Sequence, residues 1–550
     1  SSPSGDGNQA VEVAINTTVP LFLSQVIKAG ATLPVGTQSF AELKANAAGC
    51  IIALASGGTG VTLSGGTAVT ASACAVDSNN SETVPCGTSI TTISVYYDAS
   101  PPSQGCSGIQ APSGHTLSIV KALTADPLAG NADVAGAVGR LTGVAALTSP
   151  SIPSVPSGTS IDFAYSQSTT QSEAAAAGCS ASYSSNTWTL TCPSGGTYDF
   201  GTITTGGGIT VAFNTSGSAS TTYNFSGDIH NTGTAMAFGP GTYHIAGGII
   251  TGGGTTTSFG AGTFNIGKAS TKCSGAGYYS ICNTGTSLTF GGPSAFNLSA
   301  GIYNSGGESL TLGAGSTNSY VIGESTDGNS INMGGGAKTF FADAATGLFE
   351  LIGNLNDGSA GGSCLNLPAA AEHDIDGDMT AAGGVILGAG VYTVHGYIAL
   401  GASGGGTVTC WGSTVGMTGS SVTMITDGSS TPSSGNCQGE AFCIGAGFSQ
   451  VTLIAPTSGD TANLAVIGPQ SSSNTAGASF NEGSSNVQVA GAFYFPWGPV
   501  SFSGAASLGS ANNGCLELIG SEVTLSGGSA LASSCSGLGQ ATGATVALVQ

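Results

Sequence analysis

Positive charge is almost missing from this chain. Lys and Arg together number 7 in 550 residues, and charged residues of both signs make up 6%, against about 25% in ordinary soluble domains. Seven cations cannot build a phosphate-binding stripe, so nucleic-acid binding is excluded. A formal charge of −21 is repelled by an anionic membrane surface. The shortage of Glu, Lys and Arg also removes the residues that favour long amphipathic helices. No run reaches the roughly 18 apolar residues of a membrane span, and no charged-then-apolar leader opens the chain. Ser1 reads as a mature terminus after processing. No Cys-x-x-Cys pair occurs, whereas zinc ribbons and fingers need close pairs of that kind.

What is present is glycine, 92 residues of it, with Ser, Thr and Asn between short aliphatic runs. The glycines keep no three-residue period, which excludes collagen. Disorder is excluded as well, because 40% of the residues are hydrophobic and Ile, Val, Leu and Phe recur throughout. The class is therefore all-β, with a surface made soluble by hydroxyls and amides. Below about pH 3 the carboxylates are neutral, which leaves this chain with a modest charge. Two explanations of the composition stand level: an acidic habitat, or an ordinary low-charge secreted β-protein.

The 14 cysteines point to an oxidising, extracellular or periplasmic compartment. Taken in sequence order they fall into seven short-range couples, such as Cys179 with Cys192 and Cys273 with Cys282. Pairing of that kind staples local loops and leaves the topology alone, although sequence does not fix connectivity.

Residues 1–150 read as an N-terminal β-rich module, a cap or an assembly domain. Val11, Val13 and Ile15 alternate with polar residues as in a strand. Phe40 to Ala48 is read as a short helix, and 132–147 as another with two interior glycines. Pro150, Pro153 and Pro156 mark a linker, and 151–194 holds it together with a disulfide loop. From about 195 a phrase recurs: GTYDFG, GTYHIAG, GTFNIG, GIYNSGG and GVYTVHG, with its aromatic at Tyr198, Tyr243, Phe264, Tyr303 and Tyr392. Rungs of 20–25 residues with short strands and glycine corners predict a parallel β-helix over 195–550 with a C-terminal cap. Stacked asparagines are expected to satisfy backbone groups at its turns. A β-sandwich is the competing architecture and accounts poorly for the phrase.

Three acids alternate in His373-Asp374-Ile375-Asp376-Gly377-Asp378. Alternation on a strand or tight turn puts Asp374, Asp376 and Asp378 on one side, a set of oxygens that suits calcium. The competing reading is a solvated acidic turn. The parallel β-helix also serves polysaccharide-cleaving enzymes, whose hydrolysis needs facing carboxylates. Asp376 with Asp378, or Asp343 with Glu350, are the nominees. Cations for a lyase are scarce: Lys268, Lys272 and Lys338 only. His115, His230, His244, His373 and His395 are scattered and suggest no triad. Phe-Tyr-Phe-Pro-Trp at 493–497 is either a buried corner or an exposed glycan-binding patch around Tyr494 and Trp497.

Both ends of the chain resemble a family. Cys50-Ile-Ile-Ala-Leu followed by SGGTGVTLSGGTAVTASACAV, and VAGAFYFPWGPVSFSG followed by GCLELIGSEVTLSGGSALASSC, are similar to TadG-like proteins of the bacterial tight-adherence (Flp) pilus machinery. The G-[TIV]-Y repeats look like that family's middle region. These motifs are structural and carry no catalytic signature. The family usually begins with a membrane-anchoring helix, which is not seen here. The resemblance implies a role at the pilus; the scarcity of titratable groups, the hydroxyl-rich faces and the stapled loops lead to the expectation of an extracellular bacterial protein of structural or adhesive duty with no enzymatic activity. It self-associates into filaments or matrix, or meets pilus components. A monomeric glycan-binding adhesin is the alternative, and a polysaccharide-cleaving enzyme a more distant one. Apart from the candidate Ca2+, no cofactor is expected.

Overall fold

Each short strand here has one apolar face and no partner within its own turn of chain. It gains both backbone hydrogen bonds and burial only from the turn before and the turn after. The computed structural model describes residues 10–20, 32–44, 47–164, 166–345, 347–358, 362–401, 408–446, 448, 450–481, 486–504, 507–508, 514–535, 538 and 545–549. Its body is a parallel β-helix with three strands to most rungs, each strand pairing in parallel with the third one onward. Among the described residues no helix is long and apolar enough to cross a membrane.

Like residues stack in three inward files. One file is aromatic: Tyr198, Tyr223, Tyr243, Phe264, Phe296 and Tyr320 follow one another in register. Ring centroids along it lie 4.9 Å apart at Tyr223–Tyr243 and 5.3 Å apart at Phe296–Tyr320. A second file is Ile203, Ile229, Ile249, Ile281, Ile302 and Ile331. A third runs Phe213, Phe238, Phe259 and Phe290. Tyr198, Tyr243, Phe264 and Tyr392 of the recurring phrase all sit in the aromatic file. Tyr303 does not. There Ile302 points inward, and Tyr303 lies outside against the Cys273–Cys282 loop. That loop lengthens one rung to the 32 residues between Phe264 and Phe296.

Asparagine lines an inner corner, as expected. The Asn283 amide donates to Asn304 Oδ1 at 2.8 Å and to the Ser309 carbonyl at 3.2 Å. Asn304 passes the chain on to the Lys338 carbonyl and Thr339 Oγ1. Buried polar groups must be paired to be tolerated, and this ladder pairs its own amides with one another and with carbonyls at the strand starts.

The 14 cysteines form seven disulfides, all between sequence neighbours: 50–74, 86–106, 179–192, 273–282, 364–410, 437–443 and 515–535. They place the protein in an oxidising, non-cytoplasmic compartment.

The N-terminal module is part of the same stack. Strand β3 (Gly49–Ala53) pairs with Leu516–Gly520, Ile51 opposite Leu518. Val61 stands opposite Val523, and Val69 opposite Ala530. Residues 49–121 therefore supply the last rungs, beyond the C-terminal ones, and the boundary expected near 150 divides no fold. The stack instead begins at Thr159–Phe163. Its first end is closed by helix α3 (Gln167–Ala176) and by Trp188, whose Nε1 donates to the Ala164 carbonyl at 3.0 Å. For numbering, α1 is Ala132–Gly139 and α2 is Leu141–Val144. Both lie within the span read as helical, separated at Arg140.

To connect the last rung with the first, residues 122–158 run back along the outside as a strap. The order of contacts traces the path. Ala122 donates to the Tyr97 carbonyl, and Asp126 accepts from Tyr494. Val134 and Ala137 pack with Ile425, Leu464 and Ile467. Arg140 meets Thr393 and Asp374, the Ser149 hydroxyl accepts from the Glu324 amide, and Gly158 donates to Ser226. Strap numbers rise as rung numbers fall. At Gly158 a Cβ would lie 2.3 Å from the Phe200 nitrogen, so only glycine lets the strap close onto the first rung.

Strands β1 (Ala10–Pro20) and β2 (Thr32–Lys44) form an antiparallel ribbon, and Thr545–Val549 joins the far side of β2. The helix expected over 40–48 is therefore strand through Lys44, because pairing on both edges of β2 outweighs the local preference of Ala-Glu-Leu-Lys. The C-terminal strand belongs to this sheet and does not cap the stack.

No disulfide joins residues 1–150 to the rest. A protease site inserted between Ile152 and Pro156, once cut, should leave two pieces that co-elute on native gel filtration and part only in denaturant. Separation in native buffer would show that the N-terminal rungs are not held by stacking.

Candidate functional site

The strap meets the stack most closely where the acidic motif lies. Strand Glu372–Ile375 places Asp374 outward, between Glu350 and Thr393 on adjacent rungs. Arg140, the only arginine of the chain, reaches it from the strap. Its Nη2 is 3.2 Å from Asp374 Oδ1 and its Nε donates to Thr393 Oγ1 at 3.0 Å; Nη1 pairs with Glu372. Burial beneath the strap raises the Asp374 carboxyl above its ordinary range, and Arg140 opposes that shift. Glu350 is raised likewise by burial, with Asp374 adding to it.

His373 points inward, buried in the aromatic file and stacked on Tyr392 at 3.8 Å between centroids. Its Nε2 donates to the Pro368 carbonyl at 2.8 Å. Burial pulls its pKa down to about 4, so the ring is a neutral core group.

The other two acids turn elsewhere. The strand ends at Ile375, and the chain bends at Gly377 before the next strand begins at Met379. Asp376 Oδ1 lies 2.8 Å from His395 Nδ1, and the other ring nitrogen is 3.4 Å from Asp427 Oδ2. Asp378 Oδ1 accepts from the Tyr397 amide at 3.2 Å and from the Ser430 hydroxyl. Asp427 Oδ1 in turn accepts from the Gly396 and Ser429 amides. The alternation expected to gather Asp374, Asp376 and Asp378 is thus broken by a corner. Among the described residues no group of three or more His, Cys, Asp or Glu is placed to hold a metal ion. The three acids tie together successive rungs, the strap and the 427–430 turn. Asp343, the remaining nominee, accepts from the Ala369 amide.

Helix α1, capped by the Asn131 side chain on the amides of Asp133 and Val134, lies between two clefts. One, of about 690 Å³, is lined by Asp133, Arg140, Glu372, Asp460 and Thr461 among others. The second, of about 590 Å³, runs past Asp126, Asn131, Gln470 and Trp497. The two aromatics nominated for binding have different fates here. Tyr494 is buried and donates to Asp126 Oδ2 at 2.7 Å, holding the root of the strap. Trp497 stands 47% exposed on the cleft rim.

A set of buried carboxyls escaped the sequence reading. Glu82 lies opposite Val61 in an inward file, and neither of its side-chain oxygens has a partner. Burial pushes its pKa up to about 8. Glu440 and Glu517 are pushed to about 7 and Asp357 to about 6, again by burial. Asp77 is raised well above its usual value by the same cause. Each therefore holds its proton more tightly folded than unfolded.

That fixes the sign of the pH dependence. The stability these groups allow is fully present below the unfolded carboxyl range of about 4, and it is lost as pH rises through about 6 to 8. Thermal unfolding midpoints should be higher at pH 4.5 than at pH 8. Glu82→Gln should flatten the profile and stabilise the protein at pH 8 by on the order of a few kcal/mol. A midpoint that is flat or rises toward pH 8 would count against the buried acids.

Comparison with protein-family models, with curated proteins and with solved structures finds no match to this chain.

Proposed function

We propose that this chain is an extracellular structural protein of the bacterial surface, a stiff rod used for its shape and its uncharged faces. The observation that carries this reading is the single unbroken stack, about sixteen rungs deep, clamped lengthwise by its own strap. At roughly 4.8 Å per rung it makes a rod of about 75 Å. Two of its outward files are small and mostly hydroxylated over several rungs. Thr210, Ala235, Thr256, Ser287 and Ser309 succeed one another on one face, and Thr222, Thr242 and Thr263 on another. Such faces bring little charge to any contact, so copies can lie close despite a net charge of −21. The carboxylates at 374–378 already bind strap and turns, which fits a mechanical role and assigns them no catalysis. The likeness of the chain ends to TadG-like proteins supports a place beside surface pili, in filaments or matrix.

Trp497 favours a second reading. An exposed indole over a cleft with Asn131 and Gln470 suits a sugar ring, as in a glycan-binding adhesin. Glycan-array binding that Trp497→Ala removes would support it.

Electron microscopy of protein taken natively from culture supernatant or sheared cells separates the two. The structural reading expects regular filaments or sheets built of rods about 75 Å long. Isolated single rods that bind glycan would replace it with the adhesin.

A further inference from the structure

The ribbon of β1 and β2 differs from the rest of the molecule. In the stack aliphatic side chains are buried, whereas here they stand in water. The register puts Val13 opposite Ser39, Ile15 opposite Thr37, Thr17 opposite Val35, and Val19 opposite Leu33. Residues directly opposed on antiparallel strands share a face, and alternate residues along a strand share it too. Val13, Ile15, Val19, Leu33 and Val35 therefore lie on one side, each 45–60% exposed. The other side carries Glu12, Asn16, Thr18 and Gln38 with Ala14, Pro34, Gly36 and Phe40 between them. An amphipathic sheet with a bare apolar face marks an interaction surface. So small a sheet is also marginal in water until that face is packed.

We infer that this face packs against the same face of a second copy, making an isologous dimer through the ribbons. The proposal rests on the structural reading above and names its first contact. Three observations favour a second copy. The face holds only aliphatic and hydroxyl side chains, so it is complementary to itself and leaves no charge unpaired when covered. At −21 two copies repel over most approaches, and this face is free of that acid charge. The area also suits. Eleven residues of β1 at about 3.4 Å each, over two to three strands about 4.8 Å apart, give a face of roughly 400–500 Å². Two such faces bury about 800–1,000 Å² together, below the range of stable complexes and in that of weak, transient ones. The dimer expected is therefore a weak one. This contact closes at two copies, so filaments require a further contact elsewhere on the rod.

Sedimentation velocity of the full chain between about 1 and 100 µM tests it. The wild type should pass from monomer to dimer across that range. Val13→Asp with Ile15→Asp should weaken the dimer about 100-fold, and Thr18→Asp on the opposite face should leave it unchanged. Val35→Thr with Leu33→Thr keeps the strand preference, and should weaken it too if the aspartates unfold the ribbon. Circular dichroism and the unfolding midpoint report whether the β-helix is intact. A wild type that stays monomeric overturns the proposal, whether the face is then covered by residues 21–31 of its own chain, by a neutral lipid surface or by a different protein. A dimer that survives both double variants overturns it as well. Filaments formed by a chain whose ribbon gives no dimer at any concentration would sink the ribbon contact and leave the structural reading standing. A dimer without filaments would do the reverse.

Discussion

No rung of this molecule is stable alone. A three-strand turn of about 22 residues has no second layer to cover its apolar side, and its edges expose unpaired amides and carbonyls. Everything else answers that dependence. Aromatic rings fall above aromatic rings because parallel strands in register put like positions in contact. The Asn283–Asn304–Thr339 ladder exists because a buried amide at one rung finds its partner at the equivalent corner of the next. The disulfides join sequence neighbours because rungs adjacent in space are adjacent in sequence.

The same dependence shapes the two ends of the stack, and the chain treats them differently. One end is covered by α3 and Trp188. At the other, the chain brings its own N-terminal rungs to sit beyond its C-terminal ones. The strap is the consequence of that choice, since the polypeptide must return the length of the stack before starting the first rung. Its cost in ordered loop is offset by Val134 and Ala137 packing on Ile425 and Ile467, and by Arg140 on Asp374. The sole arginine is placed where the strap crosses the densest acidic stretch, and Asp374 is one of its partners there.

Local regularities were legible in the sequence, and long-range ones were not. The cysteine couples could be read because sequential pairing is the natural pattern of a stack. The aromatic phrase identified the solenoid, yet Tyr303 misled. It shares the phrase but follows an inward Ile302, and only three-dimensional register shows which residue of the pair faces in. Splicing of residues 49–121 onto the C-terminal rungs left no local mark, so a proline-rich strap looked like a linker between domains. Asp374, Asp376 and Asp378 alternate perfectly in sequence, and a corner after Ile375 undoes the alternation. Tyr494 sits in an aromatic run that resembles a binding patch, but its hydroxyl is needed by Asp126. A sign of the buried acids was present, since Glu517 stands inside the apolar run Leu516–Ile519. Its meaning depends on the Cys515–Cys535 loop that folds over it.

Buried acids and scarce surface charge belong to one design. A carboxyl held out of water is tolerable only while it is neutral, so Glu82 and Asp357 in the stack, Glu517 beneath its disulfide loop and half-buried Glu440 all weigh toward acid conditions. The outer surface weighs the same way, because its acids repel one another when ionised and are balanced by only 7 cations. Hydroxyl files do not change with pH; within the aromatic file His373, held neutral by burial, is the group that weighs the other way. A rod built in this manner keeps its shape when carboxylates protonate, whereas a protein held by surface ion pairs loses them. The cluster of Arg140 with Glu372 and Asp374, which rests on ionised partners, is partly sheltered beneath the strap. The composition and the fold therefore agree on a protein whose stability is greatest in mild acid. They also agree on where it exposes apolar surface most densely: the ribbon, where no neighbouring rung is available to cover it.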